Sequence, residues 1–248
     1  MKRFLVLATI LSIAALTLAV QFLPSGFANN NEDQWAPFTI INRDAVAYGK
    51  AYGDWSAAWN QWSYSIPEPV HPLFDNGDCS TAQSGPVWFL GGKFCANGET
   101  CSFTTVRTCT VPYGKALFFP VVDSEDSALE ESVNEHPGDP SFQQIAAMRQ
   151  YAAGIESTPG VFCEIDRKPV PQLMQRFGVQ SAAFGFTLPD KNILSYIYAP
   201  PNDFKAGTYY PAVDEGYYIM LAPLPPGNHT LHFGASWLDV TYHLTVTK

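Results

Sequence analysis

Residues 224–247, LPPGNHTLHFGASWLDVTYHLTVT, indicate how this chain folds. The segment 224–228 is a tight reversal, and a second reversal around Ser236 and Trp237 separates the apolar run 229–233 from the run 240–247. In the second run one face carries Val240, Tyr242, Leu244 and Val246, and the other carries Thr241, His243, Thr245 and Thr247. Such alternation is typical of a strand with one buried and one solvated face. The stretch therefore predicts a β-hairpin in an antiparallel sheet.

Comparable runs precede this hairpin along most of the chain. Candidate strands lie at 85–90, 103–111, 116–122, 161–166, 182–188, 193–198 and 217–223, and turn-forming residues separate nearly all of them. Pro112, Tyr113 and Gly114 form a turn that predicts a hairpin between 103–111 and 116–122. A short helix is predicted at 141–153, because Ser141 can cap it and its apolar residues share one face.

The predicted fold class is mainly β. We expect an antiparallel β-sandwich, either immunoglobulin-like or jelly-roll-like, with an N-terminal aromatic-striped helix and one or two short helices. The 18 glycines and 20 prolines fit short strands joined by many turns. Residues 29–248 form one β-rich domain in this prediction, and an internal division near 140–160 is the alternative.

An aromatic pattern at 44–64 predicts the N-terminal helix. Asp44 can cap its start and Pro67 ends it. Aromatic rings recur at steps of four and three, at Tyr48, Tyr52, Trp55, Trp59 and Trp62. A continuous stripe of this kind is typical of a helix buried against a sheet. The alternative interpretation is a platform for sugar rings, with Trp55, Trp59 and Trp62 as ligand-binding residues.

Residues 1–28 have the pattern of an export signal. Lys2 and Arg3 precede an apolar run at 4–20, and Gly26 and Ala28 supply the small residues of a cleavage site. We therefore predict that the protein works in the periplasm or outside the cell. The alternative is a retained anchor, because about 17 apolar residues are near the lower limit for spanning a bilayer. Contact with a membrane is expected only through an uncleaved signal.

The charge of the chain excludes one class of partner. Lys and Arg number 14 against 23 Asp and Glu, which gives a net charge of −9. Nucleic-acid binding depends on basic clusters that release counterions from phosphates, and the sequence has none. Serine hydrolases of the G-x-S-x-G class are also disfavoured, because the segment 234–238 has leucine where the second glycine belongs.

Five cysteines are available for disulfide bonds in an exported chain. Cys95 and Cys101 enclose a polar, turn-forming segment and are predicted to close a small loop. Cys79 and Cys109 then remain as the second pair. Cys163 shares strand parity with Val161 and Ile165, so we expect it to be a free thiol in the core.

An acidic stretch follows the predicted strand 116–122. Asp123, Glu125 and Asp126 come first, and the carboxylates continue to 135 without a basic residue. Loops after buried strands often carry function, and calcium prefers such oxygen-rich segments. These three residues are therefore candidates for carboxylate catalysis or for a calcium site, with His71 or His136 as catalytic neighbours. A solvated acidic connection is the alternative.

Two further sites follow from the predicted hairpin at 229–247. His232 and His243 fall on its outward face and are the best zinc candidates, although zinc needs three or four ligands. Trp237 lies in the turn, where a large ring either binds a ligand or caps the core.

The sequence resembles a group of uncharacterised exported proteins of bacteria and archaea. The resemblance rests on W-x3-W-x2-W at 55–62 leading into SIP at 65–67, GPVWFL at 85–90, CTVP-x-GKALFFP at 109–120 and LPPG-x-HTLHFG at 224–234. The group carries no assigned activity, so the resemblance transfers no catalytic residue. The C-terminal half also resembles immunoglobulin-type sandwiches of exported proteins, and fold resemblance does not imply function.

Three functional hypotheses follow. The leading one is a non-catalytic exported module that binds carbohydrate or another surface polymer, with Trp237 and any exposed tryptophan of the helix as stacking residues. It needs no cofactor. The second is a hydrolase that uses the carboxylates at 123–126, with or without calcium. The third is a structural component of an envelope assembly.

Overall fold

A computed structural model of the chain describes residues 38–74, 77–95, 103–198, 200 and 202–248. The predicted export signal at 1–28 lies outside these residues. Cys101 does too, so the predicted Cys95–Cys101 pair is not described. Within the described ranges, no helix is long and apolar enough to cross a bilayer.

Strands dominate the described residues. The ten strands are β1 (Val87–Phe89), β2 (Thr104–Pro112), β3 (Ala116–Ser127), β4 (Phe162–Ile165), β5 (Lys168–Pro169), β6 (Gly178–Gln180), β7 (Phe184–Leu188), β8 (Gly207–Leu221), β9 (Gly227–Ala235) and β10 (Leu238–Thr247). The α-helices in the same ranges are α1 (Tyr52–Tyr64), α2 (Ala128–Glu130), α3 (Ile145–Ala152), α4 (Leu173–Phe177) and α5 (Ile193–Ile197). A π-helical turn, Glu131–Glu135, continues α2, and 3-10 turns occur at Glu68–Val70 and Ala153–Ser157.

Two mixed sheets contain these strands. In the first sheet the order is β1-β3-β8-β6, with β7 also paired to β8, and in the second it is β2-β10-β9-β4-β5. The pairs β1–β3 and β2–β10 are parallel, and the other pairs are antiparallel. The mainly-β prediction is confirmed, whereas the expectation of purely antiparallel sheets is wrong for these two pairs.

The predicted hairpin between 103–111 and 116–122 is wrong, because its two strands belong to different sheets. Strand β2 alternates between buried and exposed residues, so it has only one face to bury. The first seven residues of β3 are all buried, which requires cover on both faces. The turn after Pro112 therefore passes from one sheet to the other, and the Tyr113 amide donates to the Thr247 carbonyl at 2.7 Å.

Two other element predictions need correction. Residues 193–197 form helix α5 instead of a strand, because the Asn192 side chain accepts a hydrogen bond from the Ser195 amide at 3.0 Å and caps the helix start. Helix α1 begins at Tyr52 and not at Asp44. Tyr48 and Gly49 have positive φ values of 52° and 85°, which no helix accommodates.

The core has two layers around the first sheet. Phe119 and Ile219 face the second sheet and pack with residues such as Phe233. On the other face, Phe118 and Tyr218 stack and pack against helix α1. The aromatic stripe of α1 is therefore core: Trp55 is 6% exposed, Trp59 4% and Trp62 8%.

The cysteines lie largely as predicted. Cys79 and Cys109 form a disulfide bond that joins the segment before β1 to strand β2. Cys163 is a buried free thiol in β4. Burial raises the pKa of this thiol, so the nucleophilic thiolate is disfavoured.

Candidate functional site

A cavity of about 290 Å³ lies where helix α1, the acidic end of β3, helix α5 and the turn at Trp237 meet. Its apolar wall includes Trp59, Leu73, Phe94, Phe103, Trp237 and Leu238. Its polar wall includes Asn60, Tyr64, Asp123, Glu125, Glu130 and Tyr198. The cavity thus joins aromatic rings and carboxyl groups that are far apart in the sequence.

The strand β3 positions the carboxyl groups. It continues five residues beyond the predicted end at 122, so the acidic stretch begins as a strand and not as a loop. Asp123 pairs with Gly216 of β8, and Glu125 pairs with Asp214. Because side chains alternate along a strand, Asp123 and Glu125 lie on one face and Asp126 on the other. Only the first two therefore reach the cavity.

A capped turn after β3 brings Glu130 back beside this strand. The Ser127 hydroxyl accepts a hydrogen bond from the Glu130 amide at 3.3 Å and donates to Glu130 Oε2 at 2.5 Å. This turn places the Glu130 carboxyl close to that of Glu125, so that the charge of Glu130 acts on Glu125. The Tyr64 hydroxyl donates to Glu125 Oε2, and the Tyr198 hydroxyl donates to Glu130 Oε1 at 3.1 Å.

Burial favours the protonated forms of Glu125 and Glu130. Burial, followed by the charge of Glu130, raises the pKa of Glu125 well above its usual range. Burial also raises the pKa of Glu130. Two neighbouring buried carboxylates repel each other, so ionisation of both is disfavoured.

Asp123 lies on the same wall in a different environment. Burial raises its pKa to about 7, and a hydrogen bond from Tyr218 opposes the rise. The Tyr218 oxygen lies 3.3 Å from Asp123 Oδ2 and 3.0 Å from both carboxyl oxygens of the buried Asp214. A carboxyl group with a pKa near neutrality is suited to accept a proton at physiological pH.

Aromatic rings also line the cavity. Trp237 is 49% exposed, and its ring packs edge-to-face on Phe103 with 5.7 Å between centroids. Trp59 also lines the cavity, although it is buried and its Nε1 atom donates to the Leu90 carbonyl at 2.7 Å. Trp55 and Trp62 are core residues outside the lining, which corrects their interpretation as stacking residues.

The remaining acidic and histidine candidates lie elsewhere. Asp126 hydrogen-bonds to Glu131, whose Oε2 atom lies 2.5 Å from His136 Nδ1. The His136 ring in turn stacks on Phe142 with 3.5 Å between centroids. This cluster is on the other face of β3, so neither Asp126 nor His136 joins Asp123 and Glu125 in the cavity.

His71 is a core residue. It is 1% exposed, its Nε2 atom lies 3.0 Å from the Ser63 carbonyl, and the Leu73 amide donates to its Nδ1 atom at 3.2 Å. Burial lowers its pKa to about 4. A neutral, fully hydrogen-bonded ring in the core is not placed for acid–base chemistry at the cavity.

The zinc and calcium candidates are not grouped with further metal ligands in the described part of the chain. His232 lies opposite Thr241 in the β9–β10 register and His243 opposite Thr230, so the two histidines are diagonal neighbours. His232 contacts Asp239 at 3.0 Å and Glu164 at 3.6 Å. Among the described residues, no three or more His, Cys, Asp or Glu side chains are grouped as metal ligands.

Sequence reasoning missed several residues of this site. It named Asp123, Glu125, Trp59 and Trp237 but not the two tyrosines, Phe103 or Glu130. The spacing S-x-x-E at 127–130 is a capping signal, and it could have placed Glu130 next to the strand. Tyr64 and Tyr198 carry no comparable signal.

Protein-family models give no match to the chain, and neither curated proteins nor solved structures match it significantly. The resemblance to a group of exported proteins therefore stays a prediction, and the functional argument depends on the geometry of the cavity.

Proposed function

We propose that this protein is an exported binding module that holds a saccharide in the cavity between Trp237 and the carboxyl groups of β3. One observation carries the proposal: a single cavity is lined by aromatic rings together with carboxyl and hydroxyl groups. A sugar ring has the matching chemistry, because it presents apolar C–H faces and a rim of hydroxyl groups.

The aromatic side supplies the apolar contact. The half-exposed Trp237 ring is available for stacking, and its edge-to-face packing on Phe103 fixes its orientation. A preordered ring loses little conformational freedom when a ligand binds. Trp237 is therefore the residue that contributes most to affinity in this proposal.

The polar groups of the cavity fix the orientation of the ligand. Asp123 and Glu125 are partly exposed and line the cavity, whereas Asn60 is buried and its Nδ2 atom donates to the Ser56 carbonyl at 3.2 Å. Ligand sites of this type are mainly apolar with a few polar groups that fix orientation. Because burial disfavours the charged forms of Glu125 and Glu130, it lowers the negative charge of the cavity lining, which favours an uncharged ligand over a cation.

Location and fold class support an extracellular role. The Cys79–Cys109 disulfide fits an oxidising compartment, as the export signal predicts. The two-sheet architecture is compatible with a sandwich of the immunoglobulin type, a finer classification that remains part of the proposal.

Titration calorimetry with a panel of soluble oligosaccharides tests this function. We expect Trp237→Ala to weaken binding at least tenfold, because stacking is lost at an exposed residue that does not hold the core. Tyr113→Ala is the matched control: Tyr113 is 58% exposed but lies beyond the opposite end of β2. Equal affinity of the Trp237 variant and the parent would contradict the proposal.

Two further arms separate the alternatives. Loss of saccharide binding in the presence of a chelator would contradict a metal-free site and show that binding depends on calcium. Absence of binding to every saccharide in the panel would reject the proposal in favour of a structural role in an envelope assembly.

A further inference from the structure

A buried positive charge contacts residues that line the cavity. Arg107 of β2 is 5% exposed, and its guanidinium donates to three backbone carbonyl oxygens. These oxygens belong to Leu73 at 2.9 Å, Gly91 at 3.2 Å and Gly92 at 2.7 Å. Leu73 and Gly92 both line the cavity. The guanidinium therefore binds directly to the backbone of the cavity lining.

Arg107 has no counter-charge in the part of the chain that the structure describes. Its fourth acceptor is the Tyr242 hydroxyl at 3.0 Å, so all four acceptors are uncharged oxygens. The ion pairs formed among the described residues do not include Arg107. Its Nε atom is also buried without a hydrogen-bond partner there. Burial of a charge is costly unless an opposite charge is near. An anion in the adjacent cavity would reduce that cost.

The contacts of Arg107 leave one backbone donor unused. The Gly91 carbonyl and the Gly92 amide belong to one trans peptide, so the Gly92 N–H points away from the guanidinium. This amide has no acceptor among the described residues. A peptide whose carbonyl binds a cation is polarised, which strengthens its N–H as a donor. Because Gly92 lines the cavity, this amide is suited to bind an anion there.

The next residue adds a full positive charge. Lys93 follows Gly92 in the chain and also lines the cavity. Hydrogen bonds between an ammonium group and an oxyanion are shorter and stronger than those between neutral groups. An ammonium group next to a polarised amide therefore favours a ligand that carries a carboxylate or a sulfate group.

The carboxyl groups of the same lining do not exclude an anion. Burial raises the pKa of Asp123 to about 7 and that of Glu125 well above its usual range. Burial also raises the pKa of Glu130. The uncharged forms of these groups are therefore favoured toward lower pH, whereas an arginine guanidinium stays charged.

We propose that the saccharide held in this cavity is acidic, and that its anionic group binds the Gly92 amide and the Lys93 ammonium beside Arg107. The inference rests on the proposed saccharide binding at the same cavity. The sugar ring stacks on Trp237, as in that proposal, and the anionic group adds selectivity for charge. Its chemistry is that of a uronic acid or a sulfated sugar, because both present oxyanions on a sugar ring.

Matched ligands test this selectivity on the unmodified protein. Oligomers of galacturonate, glucuronate and mannuronate are compared in calorimetry with their methyl esters, which keep the sugar ring and lose the charge. A galactose oligosaccharide with and without sulfate separates a sulfate group from a carboxylate. We expect at least one charged form to bind about tenfold more tightly than its neutral partner. Equal or weaker binding of every charged form would overturn the inference and leave the binding proposal intact. Absence of binding to all of these ligands would reject both.

One substitution then assigns the charge. Lys93→Gln should weaken binding of the acidic oligosaccharide about tenfold and leave binding of its ester within about twofold. Trp237→Ala should weaken both ligands equally, because stacking does not depend on the charge. Equal losses for acid and ester in Lys93→Gln would contradict the role of Lys93.

Lys115→Gln is the matched control. It removes the same charge from the chain, and Lys115 lies beyond the opposite end of β2, where its ammonium donates to the Gly85 carbonyl. We expect Lys115→Gln to bind the acidic oligosaccharide as the parent does. An equal loss in the two lysine variants would show that only the net charge of the protein matters, and would contradict the proposal.

Discussion

Trp59 Nε1 donates a hydrogen bond to the carbonyl oxygen of Leu90 at 2.7 Å and thereby fastens helix α1 to the segment after β1. The ring of Trp62, one turn later, is equally buried, but its Nε1 atom has no hydrogen-bond partner among the described residues. The two tryptophans therefore differ in the hydrogen bonding of Nε1, although both are buried and belong to the same helix.

This difference predicts unequal costs for the same substitution. Trp59→Phe leaves the Leu90 carbonyl without its donor, which costs about 1–3 kcal/mol in addition to the lost ring volume. Trp62→Phe removes an unpartnered donor, so its loss of packing is partly offset. We expect chemical denaturation to give a larger decrease in unfolding free energy for Trp59→Phe. A larger decrease for Trp62→Phe would contradict the role of the hydrogen bond.

The carboxyl groups around β3 predict that stability falls as pH rises. Burial raises the pKa of Asp123 to about 7, and burial with the charges of Glu131 and Glu130 raises that of Asp126 to about 8. Below about pH 4 these groups are protonated in both states, so folding carries no penalty. Between pH 4 and 8 the unfolded chain releases protons that the folded chain keeps, which favours unfolding.

We expect Asp126→Asn to reduce this dependence. Its unfolding free energy should match that of the parent near pH 4 and exceed it increasingly toward pH 8, by up to about 1.4 kcal/mol per pH unit for one proton. Thermal melts of both proteins across this range are the measurement. Parallel stability curves would show that Asp126 does not titrate differently in the two states.

His71 has the opposite pH dependence. Burial lowers its pKa to about 4, and a hydrogen bond to Ser63 opposes the shift. Its contribution to stability is complete above the usual histidine pKa of about 6.5 and is lost as pH falls toward 4. Histidine NMR should therefore show the His71 ring neutral at pH 5, with the proton on Nε2. An imidazolium signal from His71 at that pH would contradict its burial.

The close approach of two strands at Gly216 predicts a specific intolerance. A Cβ atom at Gly216 would lie 2.6 Å from the Val122 carbonyl oxygen, so Gly216→Ala should destabilise the protein by about 1–3 kcal/mol. Gly154 has open space around its Cβ position, and Gly154→Ala should leave stability within about 0.5 kcal/mol of the parent. Denaturation midpoints of the two variants provide the comparison, and equal midpoints would refute the steric argument.

Local patterns predicted much of the fold. Alternation identified β10, and the aromatic stripe identified the buried face of α1. The position of Asp123 and Glu125 after an apolar run pointed to one wall of the cavity. Each of these signals depends on neighbours within a few residues, which a single sequence displays.

Long-range pairing could not be predicted in the same way. Strand β2 pairs in parallel with β10, and its Thr104 lies opposite Asp239. Nothing in the local pattern of either strand specifies this partner. Helix α5 was missed because Ile193 and Ile197 favour a strand by propensity, whereas the cap at Asn192 and burial of the helix decide otherwise. The sequence analysis therefore also missed Tyr198, which follows this helix and lines the cavity.

The strand order also constrains when the molecule can fold. Strand β8 lies between β3 and β6 in one sheet, and β10 lies between β2 and β9 in the other. Neither sheet can assemble before the segment 207–247 has been synthesised, because each lacks a central strand until then. Pairing over such distances is slow, since long loops must close before contacts form. Both sheets therefore complete their pairing only after most of the chain is available.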